Sequence, residues 1–254
     1  MTTEARFHMM KDTVKTMVRV ISPPLIRDLS IAQWPGWLGR VHDIKVPQSL
    51  VQQKRPAPTG NANINILVRM IERTKNLPGE IADCGVFRGA STAGMGLYLR
   101  QHRIKKTIYG FDSFEGFDPE SAAADMKLGG AENEDRHEHG FSATSMNEVM
   151  QKARRFHLNV LLVPGYFSQS FPTLPKSIRF CFAHLDVNLY DSYKQCLEFF
   201  YPRMVAGGII LLDEYNDPPW PGCNKAVDEL LRDKPEKLRL AESDNYQKWY
   251  FAKL

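Results

Sequence analysis

The segment from Glu80 to Ser91 limits the possible folds more than any other stretch of this chain. Residues 80–84 form a short, mostly apolar run, and Gly85 and Gly89 follow it before a helical pattern starts. This order predicts a strand, a tight loop and a helix. In an open α/β sheet ligands bind at the carboxyl ends of the strands, so the loop should border a binding crevice. Both glycines would let a ligand approach the backbone because they carry no Cβ.

Predicted strands alternate with predicted helices from Gly60 to the end of the chain. This alternation indicates a parallel sheet that is covered on both faces. Residues 242–247 are too short a connection for a parallel crossover, so the last two strands should pair antiparallel. The expected fold is α/β, a doubly wound, mostly parallel seven-stranded sheet, Rossmann-like, with an antiparallel terminal hairpin. The predicted strands are 80–84, 107–111, 159–163, 179–185, 208–212 and two in the tail, and the predicted helices include 61–76, 90–101 and 192–201.

Residues 1–58 lack this regular alternation. Apolar residues occur at helical spacing over 6–21, and a stretch rich in proline and tryptophan follows. Apolar side chains in such a segment must cover a surface, either of the main domain or of a second subunit. We therefore predict an N-terminal helical arm for docking or oligomerisation over 1–58, and a ligand-binding domain over 59–254. A homodimer or larger homo-oligomer is expected; the alternative is a disordered tail.

Composition argues against several classes of protein. The formal charge of +4 is mild and the basic residues are scattered, which gives no support for nucleic-acid binding. The sequence contains no run of 18 apolar residues, so no membrane span is predicted. The first residues are mixed rather than apolar, so no secretory signal is expected. The four cysteines show no C-x-x-C spacing, and a reducing, cytoplasmic location is the simplest expectation.

Acidic residues occur at the ends of the first two predicted strands. Asp112 directly follows the second strand, where its carboxylate could accept both hydroxyls of a ribose. Asp83 would lie near the ammonium group of a methionine part, and the two acids together indicate a nucleoside cofactor. S-adenosylmethionine fits because it has no phosphate, and the Gly-x-x-x-Gly spacing departs from the dinucleotide fingerprint. The alternatives are an ordinary turn after Asp83 and a capping acid at Asp112.

Two further segments complete the predicted cofactor site. Gly165 allows a sharp bend after the third strand, and Tyr166 could flank an adenine ring, although a core aromatic is the alternative. Ser113 lies beside the ribose-binding acid. The predicted cofactor-binding residues are Asp83, Gly85, Gly89, Asp112, Ser113, Gly165 and Tyr166.

Three acids follow the fourth and fifth predicted strands. Neighbouring parallel strands would bring Asp186, Asp213 and Glu214 to the same rim of the sheet. Converging carboxylates repel one another unless a cation lies between them, and Mg²⁺ prefers such oxygen ligands. This predicts a Mg²⁺ site that could bind vicinal hydroxyls of a substrate. The alternative is that Asp186 binds cofactor and Asp213 caps the next helix.

Histidines in a polar loop are the predicted general bases. His137 and His139 can take a proton from a hydroxyl near neutral pH, whereas a solvated surface loop is the alternative. His184 precedes a buried strand end, and we interpret it as a satisfied core residue.

With these residues in view, the chain resembles the macrocin O-methyltransferase (TylF-like) family over roughly residues 78–232. That family usually has glutamate at position 83, Leu-Asp-Gly-Asp at 185–188 and Asp-Asp at 213–214. Here Asn188 still offers a neutral oxygen and Glu214 keeps its charge. The matching stretches are 83–89, 111–117, 141–145, 164–168, 185–190, 207–208 and 212–215.

The resemblance implies a class I methyltransferase fold, S-adenosylmethionine as methyl donor and a Mg²⁺-assisted attack by a sugar hydroxyl. It also implies small-molecule acceptors, in particular secondary-metabolite glycosides, and it places the catalytic histidine in a loop comparable to that of His137 and His139. Two alternatives remain: a nicotinamide-dependent oxidoreductase on a similar sheet, and a non-catalytic partner subunit that has kept the fold.

Overall fold

The computed structural model describes residues 61–130, 141–243 and 246–254, except for the side chains of Asn61 and Ala62. The predicted arm over residues 1–58 lies outside this part of the chain, and the division into arm and domain stays a prediction.

A seven-stranded sheet forms the centre of the molecule, in the order β3-β2-β1-β4-β5-β7-β6. The five strands β1 to β5 run parallel, and β7 pairs antiparallel with both β5 and β6. The predicted mixed sheet with an antiparallel terminal hairpin is therefore confirmed. The strands are β1 (Glu80–Cys84), β2 (Ile108–Asp112), β3 (Val160–Pro164), β4 (Phe180–Leu185), β5 (Met204–Leu212), β6 (Arg239–Ser243) and β7 (Tyr246–Ala252).

Helices cover the two faces of this sheet and give each face its own apolar core. On one face Leu67 and Leu97 pack with Phe182, and on the other Tyr193 and Leu197 pack with Leu185. The central strand β4 is buried along its whole length, as a parallel strand between two helical layers must be. The helices are α1 (Asn61–Thr74), α2 (Ala90–Gln101), α3 (Pro119–Met126), α4 (Met146–Arg155), α5 (Phe167–Ser170), α6 (Tyr190–Phe200) and α7 (Pro221–Leu231).

The strand order reverses between β1 and β4. The chain builds outward from β1 through β2 to β3, then returns to the other side of β1 to begin β4. At such a switch point the loops after the two strands separate and leave a crevice at the carboxyl ends. The fold therefore predicts where a ligand site lies before any side chain is considered.

The structure differs from the sequence predictions at a few boundaries and in two short helices, α3 and α5, which were not predicted. Strand β5 begins at Met204, four residues before the predicted start at 208, and α6 begins at Tyr190 rather than at 192. Helix α3 was not predicted because its region lacks a long apolar stripe. Its start nevertheless carries a local signal: Asp118 Oδ1 accepts a hydrogen bond of 2.9 Å from the N–H of Ser121, and Pro119 occupies the first turn.

None of the helices in the described residues is long and apolar enough to cross a membrane.

Candidate functional site

A cavity of about 960 Å³ opens at the carboxyl ends of β1, β2, β4 and β5. Its volume lies at the upper end of the range for ligand sites, so it can hold a cofactor together with an acceptor. Predicted site residues that line it are Gly85, Asp112, Ser113, Gly165, Tyr166, Asp186, Asp213 and Glu214.

The loop after β1 depends on glycine at position 85. Gly85 has a φ of 83°, and a Cβ there would collide with the carbonyl oxygen of Asp186. Its N–H donates to the carbonyl oxygen of Phe111 at 2.9 Å, which keeps the ends of β1 and β2 together. The loop can therefore lie close against both the sheet and the cavity only because residue 85 has no side chain.

Gly89 has a different position from the one predicted for it. It precedes α2 with a φ of 78°, and a Cβ would lie 2.9 Å from Val149 Cγ1 on helix α4. It does not line the cavity. Its absent side chain allows helix packing, and direct contact with a cofactor stays a prediction.

Asp112 connects two loops at the mouth of the cavity. One carboxylate oxygen accepts the N–H of Phe87 and the other accepts the N–H of Phe114, each at 2.7 Å. Both phenylalanines have positive φ, 49° and 58°, so these bonds support backbone conformations that few side chains adopt. Burial raises the pKa of Asp112, and the two N–H donors oppose that shift. Each oxygen can accept a further hydrogen bond from a ligand hydroxyl.

Ser113, Gly165 and Tyr166 lie beside Asp112 on the cavity wall. The N–H of Gly165 donates to the carbonyl oxygen of Asp112 at 3.0 Å, which places the loop after β3 against the loop after β2. Gly165 has a φ of 110°, so the sharp bend predicted there is present. Ser113 Oγ donates to the carbonyl of Gly116 at 2.7 Å and shapes the turn after β2.

Asp83 is fully buried and does not line the cavity. Its Oδ2 accepts hydrogen bonds from Ser91 Oγ at 2.9 Å and from Thr92 Oγ1, and its Oδ1 bonds to His184 Nδ1 at 2.8 Å. Ser91 does line the cavity. In this arrangement Asp83 is connected to the cavity through Ser91, a residue that the sequence reasoning missed.

His184 is a satisfied core residue, as interpreted from the sequence, but it also links the two ends of the site. It is completely buried, and its second nitrogen, Nε2, lies 3.1 Å from Asp213 Oδ1. Residues Asp83 and His184 are register partners on β1 and β4, which explains their contact. His184 therefore connects the buried Asp83 with Asp213 at the cavity.

The three predicted metal ligands meet at one rim of the cavity. Burial raises the pKa of Glu214, and the neighbouring charge of Asp186 raises it further. Tyr193 Oη contacts the Glu214 carboxylate and accepts the N–H of Asp213 at 3.1 Å. Tyr193 thus fixes the turn after β5, although in the sequence it looks like any core aromatic of α6.

Lys248 stands behind this rim and was not predicted as a site residue. The last register pair of β5 and β7 is Leu212 with Trp249, so one more step places Asp213 opposite Lys248. The ammonium of Lys248 forms an ion pair with Asp213 Oδ1. Burial lowers the pKa of Lys248, and the carboxylates of Asp186 and Asp83 oppose this shift.

The donor set at the rim fits a hard divalent cation. Ligand atoms of His184, Asp186 and Asp213 lie within 4.8 Å of one another. His184 cannot contribute because Asp83 and Asp213 take both of its nitrogens. The charge of Asp186 raises the pKa of Glu214, and a cation between the two carboxylates would relieve this repulsion. Asp186, Asp213 and Glu214 are therefore the oxygen ligands that could hold Mg²⁺.

The predicted bases His137 and His139 lie outside the described residues, so their role stays a prediction. Aromatic residues form one wall of the cavity, where Phe117 packs edge-on against Phe141 at 5.2 Å and against Trp220 at 5.9 Å. These rings were missed because α3, which carries part of this wall, was not predicted.

Comparison with curated proteins gives relatives that are named O-methyltransferases. The chain is 30% identical over 158 residues to demethyldecarbamoylnovobiocin O-methyltransferase of Streptomyces niveus, which covers 61% of this chain and 58% of that protein. It is 32% identical over 149 residues to 8-demethyl-8-(2,3-dimethoxy-alpha-L-rhamnosyl)-tetracenomycin-C 4'-O-methyltransferase of Streptomyces olivaceus, with 55% of this chain and 54% of that protein covered. The chain thus matches less than two thirds of the length of either relative.

A solved structure agrees with these sequence matches. The structure of the O-methyltransferase NovP superposes with a TM-score of 0.66 at 27% identity, covering 76% of this chain and 80% of that one. The family model of macrocin-O-methyltransferase (TylF) matches residues 57–251, which include every described strand except the last residue of β7. The resemblance inferred from the motifs is confirmed, and the chain belongs to the macrocin-O-methyltransferase (TylF) family.

Proposed function

We propose that this protein is an O-methyltransferase that moves a methyl group from S-adenosylmethionine to a hydroxyl of a small molecule, a sugar of a natural-product glycoside. One observation carries the proposal: a single cavity holds Asp112 beside the open loop at Gly85 and, across the switch point, the acids Asp186, Asp213 and Glu214. Asp112 and the loop at Gly85 suit a nucleoside. The three acids suit a ligand with several hydroxyls, such as a sugar. The names of the relatives, one of which acts on a rhamnosyl compound, support the same class of acceptor.

The cofactor would lie across the loops after β1, β2 and β3. Asp112 would accept the ribose hydroxyls, Gly85 and Ser91 would border the methionine part, and Gly165 with Tyr166 would border the adenine. Asp83 and Gly89 would contribute by holding Ser91 and helix α2 in place.

The reaction is a direct displacement. When bound, S-adenosylmethionine would supply the methyl group: the acceptor oxygen would form a bond to the methyl carbon as the carbon–sulfur bond breaks, with S-adenosylhomocysteine as the leaving group that keeps the electron pair. The hydroxyl proton passes to a base, for which we propose His137 or His139. Alignment of the two reactants is the main contribution of the protein, an effect that can reach about 7–11 kcal/mol.

Asp186, Asp213 and Glu214 would hold Mg²⁺ in this scheme. When bound, the ion would lower the pKa of the acceptor hydroxyl and fix its orientation. The residues themselves keep the rim in shape: Tyr193 holds Glu214, and His184 with Lys248 holds Asp213.

Removal of divalent ions with EDTA is expected to slow methyl transfer at least ~10-fold, because the acceptor hydroxyl then loses its orienting charge. Release of S-adenosylhomocysteine, measured before and after addition of excess Mg²⁺, checks this. Full activity of the metal-stripped protein would show that Asp186, Asp213 and Glu214 have a structural role and bind no ion needed for the reaction.

Comparison of S-adenosylhomocysteine with NAD tests the proposed cofactor. We expect S-adenosylhomocysteine to raise the melting temperature of the full chain by several degrees, because a ligand that binds only the folded state stabilises it. NAD should leave it unchanged, since the loop lacks the third glycine of a dinucleotide site. A shift with NAD alone would favour the oxidoreductase alternative.

The remaining proposals concern assembly and location. We propose that residues 1–58 dock on the domain of residues 59–254 or join subunits into a homodimer or larger homo-oligomer. We further propose that the protein acts in the cytoplasm and binds neither nucleic acid nor a membrane.

A further inference from the structure

We propose that Lys248 is a positioning residue that acts as a built-in counter-cation for Asp213 and thereby weakens the binding of a divalent ion at the rim formed by Asp186, Asp213 and Glu214. The inference rests on the proposed function, because it concerns the ion site of that function. It goes beyond it by giving Lys248, which the methyl-transfer scheme uses only to hold Asp213, an effect on the affinity for the ion.

The surroundings of Lys248 are unusual for a lysine. Its side chain is fully buried on β7, which lies between β5 and β6, while its neighbours Tyr246, Gln247 and Trp249 line the cavity. A lysine is almost never buried completely unless it is paired. Here the ammonium forms an ion pair with Asp213 Oδ1 and lies 5.1 Å from the centre of the Tyr246 ring.

Lys248 and His184 hold the same oxygen of Asp213. His184 Nε2 lies 3.1 Å from Asp213 Oδ1, and Lys248 pairs with that atom from the β7 side. Asp213 is therefore fixed from two directions, and its side chain keeps 14% of its surface exposed. The carboxylate can still meet a ligand, but part of its charge is already neutralised.

This arrangement changes what the rim can bind. The three acids alone would attract a divalent ion strongly, whereas a positive charge buried behind one of them repels that ion through a medium of low dielectric constant. We therefore expect the wild-type chain to bind divalent ions weakly, and an uncharged residue at position 248 to tighten their binding.

Binding of Mn²⁺ alone, in the presence of S-adenosylhomocysteine, tests this with electron paramagnetic resonance of free Mn²⁺. Lys248→Met is expected to lower the Kd for Mn²⁺ at least ~10-fold relative to the full-length wild type. Lys253→Met is the matched control, because Lys253 follows the same strand but pairs with Glu236 at 3.0 Å, and neither residue lines the cavity. An affinity of Lys248→Met within threefold of the wild type, weaker binding, or no binding by either protein would overturn the proposal.

Thermal melting gives a second readout that does not depend on activity. Loss of one partner of a buried ion pair should lower the melting temperature of Lys248→Met in EDTA by roughly 10 °C. Saturating Mn²⁺ should restore more than half of that loss, since the metal takes the place of the missing charge. The loss in Lys253→Met should be the same with and without Mn²⁺. A loss in Lys248→Met that Mn²⁺ does not restore would contradict the proposal.

Lys248→Gln extends the test to a less disruptive change, because the amide can still donate a hydrogen bond but carries no charge. The Kd of Lys248→Gln for Mn²⁺ is expected to fall by the same factor as that of Lys248→Met. Should both variants fold only with Mn²⁺, the proposal is supported, and failure to fold even with Mn²⁺ counts against it.

Tighter Mn²⁺ binding without methyl transfer to any acceptor would refute the proposed function alone, whereas methyl transfer with unchanged Mn²⁺ affinity would refute this inference alone.

Discussion

Replacement of Asp112 by alanine is expected to lower the affinity for S-adenosylhomocysteine at least ~100-fold. A hydrogen bond to a charged group contributes about 1.5–3 kcal/mol, and two ribose hydroxyls on one carboxylate would supply two of them. The same carboxylate accepts the N–H groups of Phe87 and Phe114, so its removal also frees the two loops that border the cofactor. Isothermal titration calorimetry on the full chain measures the effect.

Glu115→Ala is the matched control for this change. Glu115 is an exposed acid three residues further along the same loop, and it does not line the cavity. Its removal should change the affinity less than threefold. Asp112→Asn keeps the shape of the side chain, but its amide NH2 group would face one of the two backbone N–H donors. An intermediate loss of affinity is therefore expected. Wild-type affinity in a folded Asp112→Ala protein would refute the ribose assignment.

Replacement of Asp186 by asparagine is expected to reduce the rate of methyl transfer ~100- to 1,000-fold while the affinity for S-adenosylhomocysteine stays within a few-fold. Asp186 directly follows β4 at the switch point, lines the cavity and raises the pKa of Glu214 by its charge. Loss of the Asp186 charge would remove one of the three carboxylates of the proposed ion site. Removal of one charge-stabilising group from an active site typically costs this much in kcat. Label transfer from methyl-labelled S-adenosylmethionine gives the rate.

Asp233→Asn supplies the control for Asp186. Asp233 is exposed, lies just after α7 and does not line the cavity, so both rate and affinity should match the wild type. A variant of Asp186 that turns over normally would show that the rim acids are structural. A variant that also loses cofactor binding would instead support the alternative that Asp186 binds the cofactor.

The sequence predicted the scaffold of the site well because its signals are local. Strand β1 and helix α2 have the predicted bounds, since a short apolar run, two glycines and a helical stripe follow one another without interruption. Asp112 and Gly165 were predicted as cavity residues for the same reason, because each directly follows a strand end. Parallel topology then brings those ends together without further information.

Side-chain contacts between strands could not be predicted from such local signals. The chain from Asp83 through His184 and Asp213 to Lys248 depends on the register of four strands and on which face each side chain takes. Lys248 is separated from Asp213 by a helix and a strand, and only the antiparallel pairing of β7 with β5 joins them. In the sequence, Lys248 is one basic residue in a predicted strand of the tail, and Asp83 looks as exposed to a ligand as Asp112.

The region between β2 and α4 was the weakest part of the prediction. Helix α3 has two buried residues, Ala122 and Asp125, so it shows no apolar period by which to recognise it. Its burial comes instead from tertiary contacts, since Asp125 Oδ1 accepts the N–H of Tyr190 at 2.9 Å. The aromatic wall of Phe117, Phe141 and Trp220 depends on that docking and could not be inferred without it.

The most direct test of the central claim is a crystal structure of the full chain with S-adenosylhomocysteine. The account predicts both ribose hydroxyls within hydrogen-bond distance, about 2.5–3.0 Å, of the Asp112 carboxylate. It also predicts the sulfur on the side of the cavity that faces Asp186. A ligand bound elsewhere, or a ribose that does not contact Asp112, would contradict the account.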